Sequence, residues 1–434
     1  MVDRKKKVFL ISLGCAKNLV DSENMLGLLE EAEIAIVNTC GFIQPAVEES
    51  IDTILEVAAH KKKGKLGKLF VAGCFVQRYG YQLRKEIPEV DGWFGTGELL
   101  KIVDILGEEF RPSPSFFISR PTFLADHTVP RIRTTPFYSA YLKIAEGCSH
   151  RCSYCTIPRL RGPFRSRGLA SLLIEAENMV ENGVKEINLI AQDTTMYGKD
   201  LGESICLEDL LERLVQISGI EWIRILYGHP FRISDRLLEL MDRGKTICPY
   251  LDLPLQHVNV KILDAMGRGY KGENPLQLIE RIRSGRRHVS LRTTVMVGFP
   301  GETDEIFDEL YHFVEIAQFD CLGAFIFSPE RGTPAARLKG IVERDVARKR
   351  LEAIMELQAE ISLKKNRRMI GRVEPVLIEG VSPETDLLLR GRTATMAPDV
   401  DSQVLINRGQ GNVGEIVPVL IKEAHPYDLI GEII

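Results

Sequence analysis

Apolar and polar positions alternate in two distinct rhythms along this chain. Residues 7–15, 33–40 and 68–74 (KVFLISLGC, EIAIVNTC and KLFVAGC) are short, nearly unbroken apolar runs, the pattern of strands buried on both faces. Between them the spacing turns helical, most clearly over 47–60. Strand–helix alternation of this kind predicts a small α/β domain with a mainly parallel sheet over residues 1–110. Residues 111–136 are proline-rich with no clean period, and read as a linker or a wrapping segment.

The alternation resumes over residues 137–366. Strand-like runs fall at 139–145, 186–191, 222–227, 250–255, 291–298 and 321–327, with amphipathic helical spacing between them, as at 171–182 and 207–217. About six β/α units predict an open, partial barrel instead of a closed eight-unit one. Residues 340–366 read as one long helix rich in charge pairs. Residues 367–434 change character again. Short Val/Leu/Ile runs punctuated by Gly371, Gly380, Gly391, Gly409, Gly411 and Gly414 predict a small all-β barrel.

Composition adds limits. The 434 residues are 44% hydrophobic and 27% charged, an ordinary globular balance. A net charge of −4 calls for neither nucleic acid nor an anionic membrane. No apolar run approaches the roughly 18 residues of a membrane span. Lys5-Lys6-Lys7, then Val8-Phe9-Leu10-Ile11 and Cys15, resembles a short lipoprotein signal. The helical pattern that follows, through Leu19, Met25, Leu26, Leu28 and Leu29, fits a strand, loop and helix better. A cytoplasmic protein is expected. Nine cysteines, an odd number without an export signal, point to metal or redox chemistry ahead of disulfides.

Cys148-x3-Cys152-x2-Cys155 is the strongest chemical signal. It follows a predicted strand, on the barrel face where such folds carry active sites. Three thiolates can bind three irons of a cubane and leave the fourth iron open to another ligand. A zinc site completed by His150, or three thiols that merely pack, are the alternatives. Cys15, Cys40 and Cys74 each end one of the three N-terminal runs. Strand ends of a parallel sheet converge on one site, although three isolated cysteines are more often structural.

The stretch from Leu142 to Gly162, with Glu146-Gly147-Cys148, Cys152, Tyr154-Cys155 and Pro158, resembles the methylthiotransferase branch of the radical S-adenosylmethionine superfamily. The resemblance runs through nearly the whole chain. It includes Ile11-Ser-Leu-Gly-Cys15-Ala-Lys-Asn, Val37-Asn-Thr-Cys40, Ala191-Gln192-Asp193, Pro254-Leu-Gln-His257, Arg292-Thr-Thr, Val297-Gly-Phe-Pro-Gly-Glu302 and Glu330-Arg-Gly-Thr-Pro334. The last segment is similar to the TRAM module, an OB-like barrel. The sub-branch most resembled modifies an aspartate of ribosomal protein S12. The runner-up modifies an adenosine of tRNA beside the anticodon. One departure stands out: Leu26 to Glu33 runs almost directly into Ile34, where the family usually has a further strand and turn, which leaves the edge of the N-terminal sheet open.

The resemblance implies two [4Fe–4S] clusters. Cys148, Cys152 and Cys155 would hold the one that binds S-adenosylmethionine; Cys15, Cys40 and Cys74 would hold a second, which carries sulfur. It implies that Tyr154, Gln192, Asp193, Gln256, Thr294, Gly298 and Glu302 surround the cofactor, with Gly298 letting the backbone approach adenine. Gln192 and Asp193 equally suit a helix cap, and His257 reads more readily as structural. Cys206, Cys248 and Cys321 read as ordinary packing or surface residues. A reduced cluster would cleave the sulfonium to a 5′-deoxyadenosyl radical, which removes a substrate hydrogen before sulfur bonds to the carbon. The partners implied are S12 and an electron donor such as flavodoxin or ferredoxin. Direct nucleic-acid binding is not expected, because residues 368–434 carry six Lys/Arg against ten Asp/Glu. That excess is either a docking feature or only a solvated surface. Outside this enzyme class, a zinc-stabilised RNA-binding protein and an iron–sulfur electron carrier remain as readings.

Overall fold

The computed structural model describes residues 8–27, 34–98, 100–101, 115–202, 205–269 and 273–434. The N-terminal part follows the expected alternation: β1 (Val8–Ser12), α1 (Ala16–Gly27), β2 (Ile34–Thr39), α2 (Gln44–Lys62), β3 (Lys68–Gly73) and α3 (Cys74–Glu86), then β4 (Gly92–Phe94) and β5 (Ser115–Phe117). The five strands form one parallel sheet in sequence order. β2 is buried at every position, and β3 at all but its first. Helices on both faces leave no solvated side, so the strands read as continuous apolar runs. Val47, Ile54, Phe75 and Val76 of α2 and α3 pack on one face, and Met25 of α1 on the other.

Two expectations need correction or completion here. The segment read as a linker supplies β5, which pairs with β4 through Phe116 and Phe117. A three-residue strand is too short to show a period. Beyond it, Arg131 ties the segment down, with Nε donating to Glu23 Oε2 at 2.8 Å and Nη1 to Glu175 Oε1 at 2.9 Å. At the shortened segment, β1 forms the sheet edge beside β2; residues 28–33 lie outside the described residues.

The middle of the chain holds six parallel strands: β6 (Ser139–Lys143), β9 (Glu186–Ile190), β10 (Trp222–Ile225), β11 (Ile247–Asp252), β12 (Ser290–Val297) and β13 (Cys321–Ile326). Their spatial order is β13-β12-β11-β10-β9-β6. A small ribbon of β7 (Ala145–Glu146) and β8 (Arg165–Ser166) lies beside them. The helices are α4 (Ile157–Arg161), α5 (Leu169–Glu181), α6 (Leu207–Leu214), α7 (Asp235–Arg243), α8 (Val260–Ala265), α9 (Pro275–Arg283), α10 (Asp304–Ala317) and the long α11 (Arg344–Arg367). Leu142, Leu189, Ile223, Leu251 and Leu291 face the helices. The alternate positions face inward and include the buried Ser139, Lys143, Glu186, Asn188, Arg224 and Asp252.

Residues 373–433 form a closed barrel, β14 (Val373–Ser382), β15 (Thr385–Thr393), β16 (Gln403–Arg408), β18 (Asp428–Ile433) and β17 (Ile416–Ala424) in spatial order. It docks on the inner side of the six-stranded sheet, where Leu377 and Ala397 pack with Tyr138, Trp222 and Tyr250. Arg392 reaches into that side and pairs with Glu186 at 2.7 Å, which also meets Arg224 at 3.0 Å. A buried carboxylate needs such partners to stay charged.

Candidate functional site

Cys148, Cys152 and Cys155 lie on the loop between β7 and α4. Gly147 has φ +78°, and a Cβ there would stand 2.1 Å from the Pro163 carbonyl oxygen, so glycine alone lets the loop begin. The loop is tied down by Cys148 N–H donating to the Gly162 carbonyl (3.0 Å) and Ser153 N–H to that of Met266 (2.9 Å). Burial pushes the Cys148 thiol up to about 11 and the Cys155 thiol up to about 12. Such thiols lose their protons when a metal centre takes their place. Arg268 stands beside them, Nη1 3.7 Å from Cys152 Sγ and Nη2 donating to the Pro254 carbonyl at 2.7 Å.

A zinc ion would need a fourth ligand close by. His150 instead turns to Asp193 (Nε2 to Oδ2, 2.6 Å) and stacks on His229 at 4.7 Å. Among the described residues no three His, Cys, Asp or Glu side chains close on a single ion position. Three cysteines on one loop offer thiolate ligands of the kind that hold iron–sulfur clusters.

The second set lies at three neighbouring strand ends. Cys15 lies just past β1, Cys40 just past β2, and Cys74 opens α3 directly after β3. Gly14 has φ +93°, and a Cβ there would come within 2.8 Å of Cys40 Cβ. Asn18 braces the three ends, its Nδ2 donating to the carbonyls of Leu13 (2.9 Å) and Thr39 (3.1 Å) and its Oδ1 3.9 Å from Cys74 Sγ. Burial raises Cys40, and raises Cys74 to about 11. Burial also opposes ionisation of Cys15, but Lys17 and Arg161 outweigh it and lower that thiol.

Arg161 joins the two sets. It ends α4, just past Cys155, and its guanidinium bonds Asn18, Asp21 (2.8 Å) and Glu146 (3.1 Å). Lys143 pairs with the same two carboxylates, lying 3.0 Å from Glu146. Burial would raise Glu146, but Arg161 and Lys143 hold it well below the usual carboxylate range. Glu146 in turn accepts from Gln192 Nε2 at 3.1 Å. A cavity of about 430 Å³ lies where all three parts of the chain meet, lined by Cys15, Leu19, Tyr227, Asp252, Thr294 and Val400.

The other expected site residues divide. Gln192 and Gln256 each keep a buried Oε1 with no hydrogen-bond partner among the described residues, as ligand-facing groups would. Asp193 caps a short turn by accepting from Thr195 N–H (3.0 Å), as the capping reading expects, and its other oxygen lies 2.6 Å from His150 Nε2. Tyr154 packs on Ile262, Met296, Phe299 and Phe327. Glu302 is buried, accepts from Gly298 N–H at 2.9 Å and pairs with Arg350 at 2.8 Å. Gly298 is required by its φ of +74° and by Ala347, whose Cβ would lie 2.7 Å from a Cβ added to it. Both hold the loop after β12 against α11. Asn18, Arg161, Arg268 and Arg350 escaped the sequence reading. Asn18 and Arg161 sit inside the recognised motifs, but nothing local marks a charge that will be buried.

The chain matches the radical SAM superfamily over residues 142–314, the uncharacterized protein family UPF0004 over 7–95 and the TRAM domain over 370–434. It is 49% identical to the ribosomal protein uS12 methylthiotransferase RimO of Geobacter sulfurreducens, across 100% of both chains. It is likewise 49% identical to that of Pelobacter propionicus, across 99% of this chain and 98% of the relative. Among solved structures, the radical S-adenosylmethionine methyltransferase TsrM from Kitasatospora setae, with tryptophan and a SAM analogue bound, shares the fold. Its TM-score is 0.56 at 13% identity, over 86% of this chain and 79% of that one. With the cysteine loop, the six-stranded sheet and full-length relatives in agreement, this chain belongs to the RimO family of radical SAM methylthiotransferases.

Proposed function

We propose that this protein adds a methylthio group to an aspartate of ribosomal protein uS12 in the cytoplasm, using two [4Fe–4S] clusters and S-adenosylmethionine, with a flavodoxin or ferredoxin as electron donor. One observation supports the reading: Arg161, on the helix that follows the Cys148–Cys155 loop, bonds Asn18 and Asp21 of the helix that follows Cys15, beside a cavity onto which Cys15 opens. When bound, the clusters and S-adenosylmethionine supply the one-electron chemistry, the sulfur and the methyl group. Cys148, Cys152 and Cys155 hold the first cluster, and Cys15, Cys40 and Cys74 the second. Gln192 and Gln256 offer acceptor oxygens to the cofactor's donors, while His150, held by Asp193, borders the same site. Arg161 and Lys143 lock the N-terminal domain onto the barrel, so the two centres keep a fixed separation. The proposed division is 1–110, 137–366 and 367–434, with 111–136 running between the first two.

The test is anaerobic reconstitution followed by incubation with reductant, S-adenosylmethionine and either uS12 or tRNA. uS12 should gain the mass of one methylthio group. About eight irons per chain are expected, falling to about four when Cys148, Cys152 and Cys155 become Ala, with loss of S-adenosylmethionine cleavage. Replacing Cys15, Cys40 and Cys74 should also leave about four, with cleavage retained and sulfur insertion lost. Methylthiolated adenosine in tRNA, with uS12 unmodified, would move the enzyme to the tRNA branch.

A further inference from the structure

Two side chains on β11 sit where packing alone gives them no reason to be polar. Tyr250 and Asp252 are two residues apart and so share the inner face of the strand. Tyr250 is fully buried, and its hydroxyl has no hydrogen-bond partner among the described residues. Asp252 is buried too: its Oδ2 accepts from Tyr227 N–H at 3.1 Å, but its Oδ1 has no hydrogen-bond partner there. Both line the cavity of about 430 Å³ onto which Cys15 opens. Natural interiors rarely leave polar atoms unmatched, and those that remain mark sites where something else supplies the match.

The chemistry of that match can be read from the pair. A phenol hydroxyl donates a hydrogen bond, and a carboxylate oxygen accepts one. Arg292 also reaches this corner, with Nε 3.7 Å from Asp252 Oδ1 and its other end held by Asp401 at 2.5 Å, so its charge is already matched. A ligand suited to this corner presents a hydrogen-bond acceptor to the hydroxyl and, next to it, an N–H donor to the carboxylate. An aspartyl residue within a polypeptide does so, with its side-chain carboxylate and its own main-chain N–H on either side of one short carbon path.

We propose that Tyr250 and Asp252 are substrate-positioning residues, the Tyr250 hydroxyl donating to the carboxylate of the substrate aspartate and Asp252 Oδ1 accepting from that residue's main-chain N–H. The proposal rests on the uS12 reading above and names the contacts that reading lacks. Gripping the residue at both ends holds its methylene carbon within the cavity, and a near-attack geometry is what such contacts supply.

The experiment uses the full-length chain with Tyr250→Phe and Asp252→Asn, a synthetic uS12 peptide carrying the aspartate, and the same peptide with alanine in its place. Each variant should bind the aspartyl peptide about tenfold more weakly, the loss of one good hydrogen bond. The alanine peptide should bind wild type and Tyr250→Phe equally, because the partner of the hydroxyl is gone. The thermal midpoint of Tyr250→Phe without peptide should stay level or rise, since an unmatched buried hydroxyl is removed. A lowered midpoint with unchanged peptide affinity would mean the hydroxyl serves the fold through bound water, and the proposal falls. Wild type that binds an anticodon stem–loop and ignores the peptide overturns the uS12 reading and the ligand class with it. Wild type that binds the peptide while both variants match it overturns only the assignment of Tyr250 and Asp252.

Discussion

His257 is fully buried, and its surroundings decide its charge. Its Nδ1 accepts from the backbone N–H groups of Val258 (2.9 Å) and Asn259 (3.0 Å), which leaves the ring proton on Nε2, 3.7 Å from Glu302. Burial, helped by Arg350, pushes this imidazole down to about 4. An unfolded histidine takes up its proton near pH 6.5. The unfolded chain therefore binds more protons between those values, and this group's contribution is whole above pH 6.5 and lost as pH falls toward 4. Glu302 is pushed up by the same burial, so its own contribution runs the other way. Comparison with a variant isolates the histidine: the stability advantage of wild type over His257→Gln, from urea unfolding, should shrink steadily from pH 7 to pH 4. An advantage that does not change with pH would mean His257 is not held neutral by the fold. The structural reading of this residue was available from the sequence; its neutral state was not, because Arg350 is remote in the chain.

At the scale of elements, the order of strands and helices was legible because burial repeats with a period of two or 3.6 residues over each long element. β4 and β5, three residues each, were not. The loop after β12 was recognised as a glycine motif, but the reason for its glycine lies in another element. Gly298 takes a left-handed φ and touches Ala347 at the start of α11. Gly298→Ala should therefore cost about 1–3 kcal/mol, combining the clash with backbone strain. In an Ala347→Gly background the loss should be smaller but not abolished, since the φ penalty remains. Denaturant unfolding of the two single variants and the double variant separates these parts; equal losses in both backgrounds would remove Ala347 from the explanation.

Across the whole molecule, charge shows how folding redistributes what composition counts. The last barrel carries ten acids against six bases from Arg368 to Ile434. Asp401 is spent on Arg292, and Glu379 on Arg392 at 2.7 Å. The acids left exposed are Glu384, Asp386, Asp399 and Glu423, against exposed Arg368, Arg372, Arg408 and Lys422. Glu374, Glu415, Asp428 and Glu432 are half-exposed against a half-exposed Arg390, so the barrel surface stays acidic, and two of its fully exposed acids, Glu384 and Asp386, flank the start of β15 at the β14–β15 turn. A basic ribosomal protein would be steered there, by an interaction that salt screens within ~10 Å at 0.1 M. Reversing Glu384 and Asp386 to Lys should slow uS12 association about threefold at low salt and hardly at all near 0.5 M. Stopped-flow mixing checks this, with tRNA as competitor; an unchanged rate at low salt would make these acids plain solvated surface. No helix among the described residues is long and apolar enough to cross a membrane.

The sequence by itself determined the succession of elements, the three-cysteine loop and the strand-end cysteines, because each depends on neighbours within a turn or a strand. Tertiary structure alone decided which groups share a charge. Arg161 bonds Asn18, 143 positions away, and Arg392 meets Glu186, 206 positions away. It also turned His150 toward Asp193 and assigned Gly298 to packing against Ala347. Local periodicity reports whether a side chain will be buried. It cannot report what will be buried beside it, and for a charged or unmatched polar group that neighbour sets its protonation, its strength as a clamp and its use.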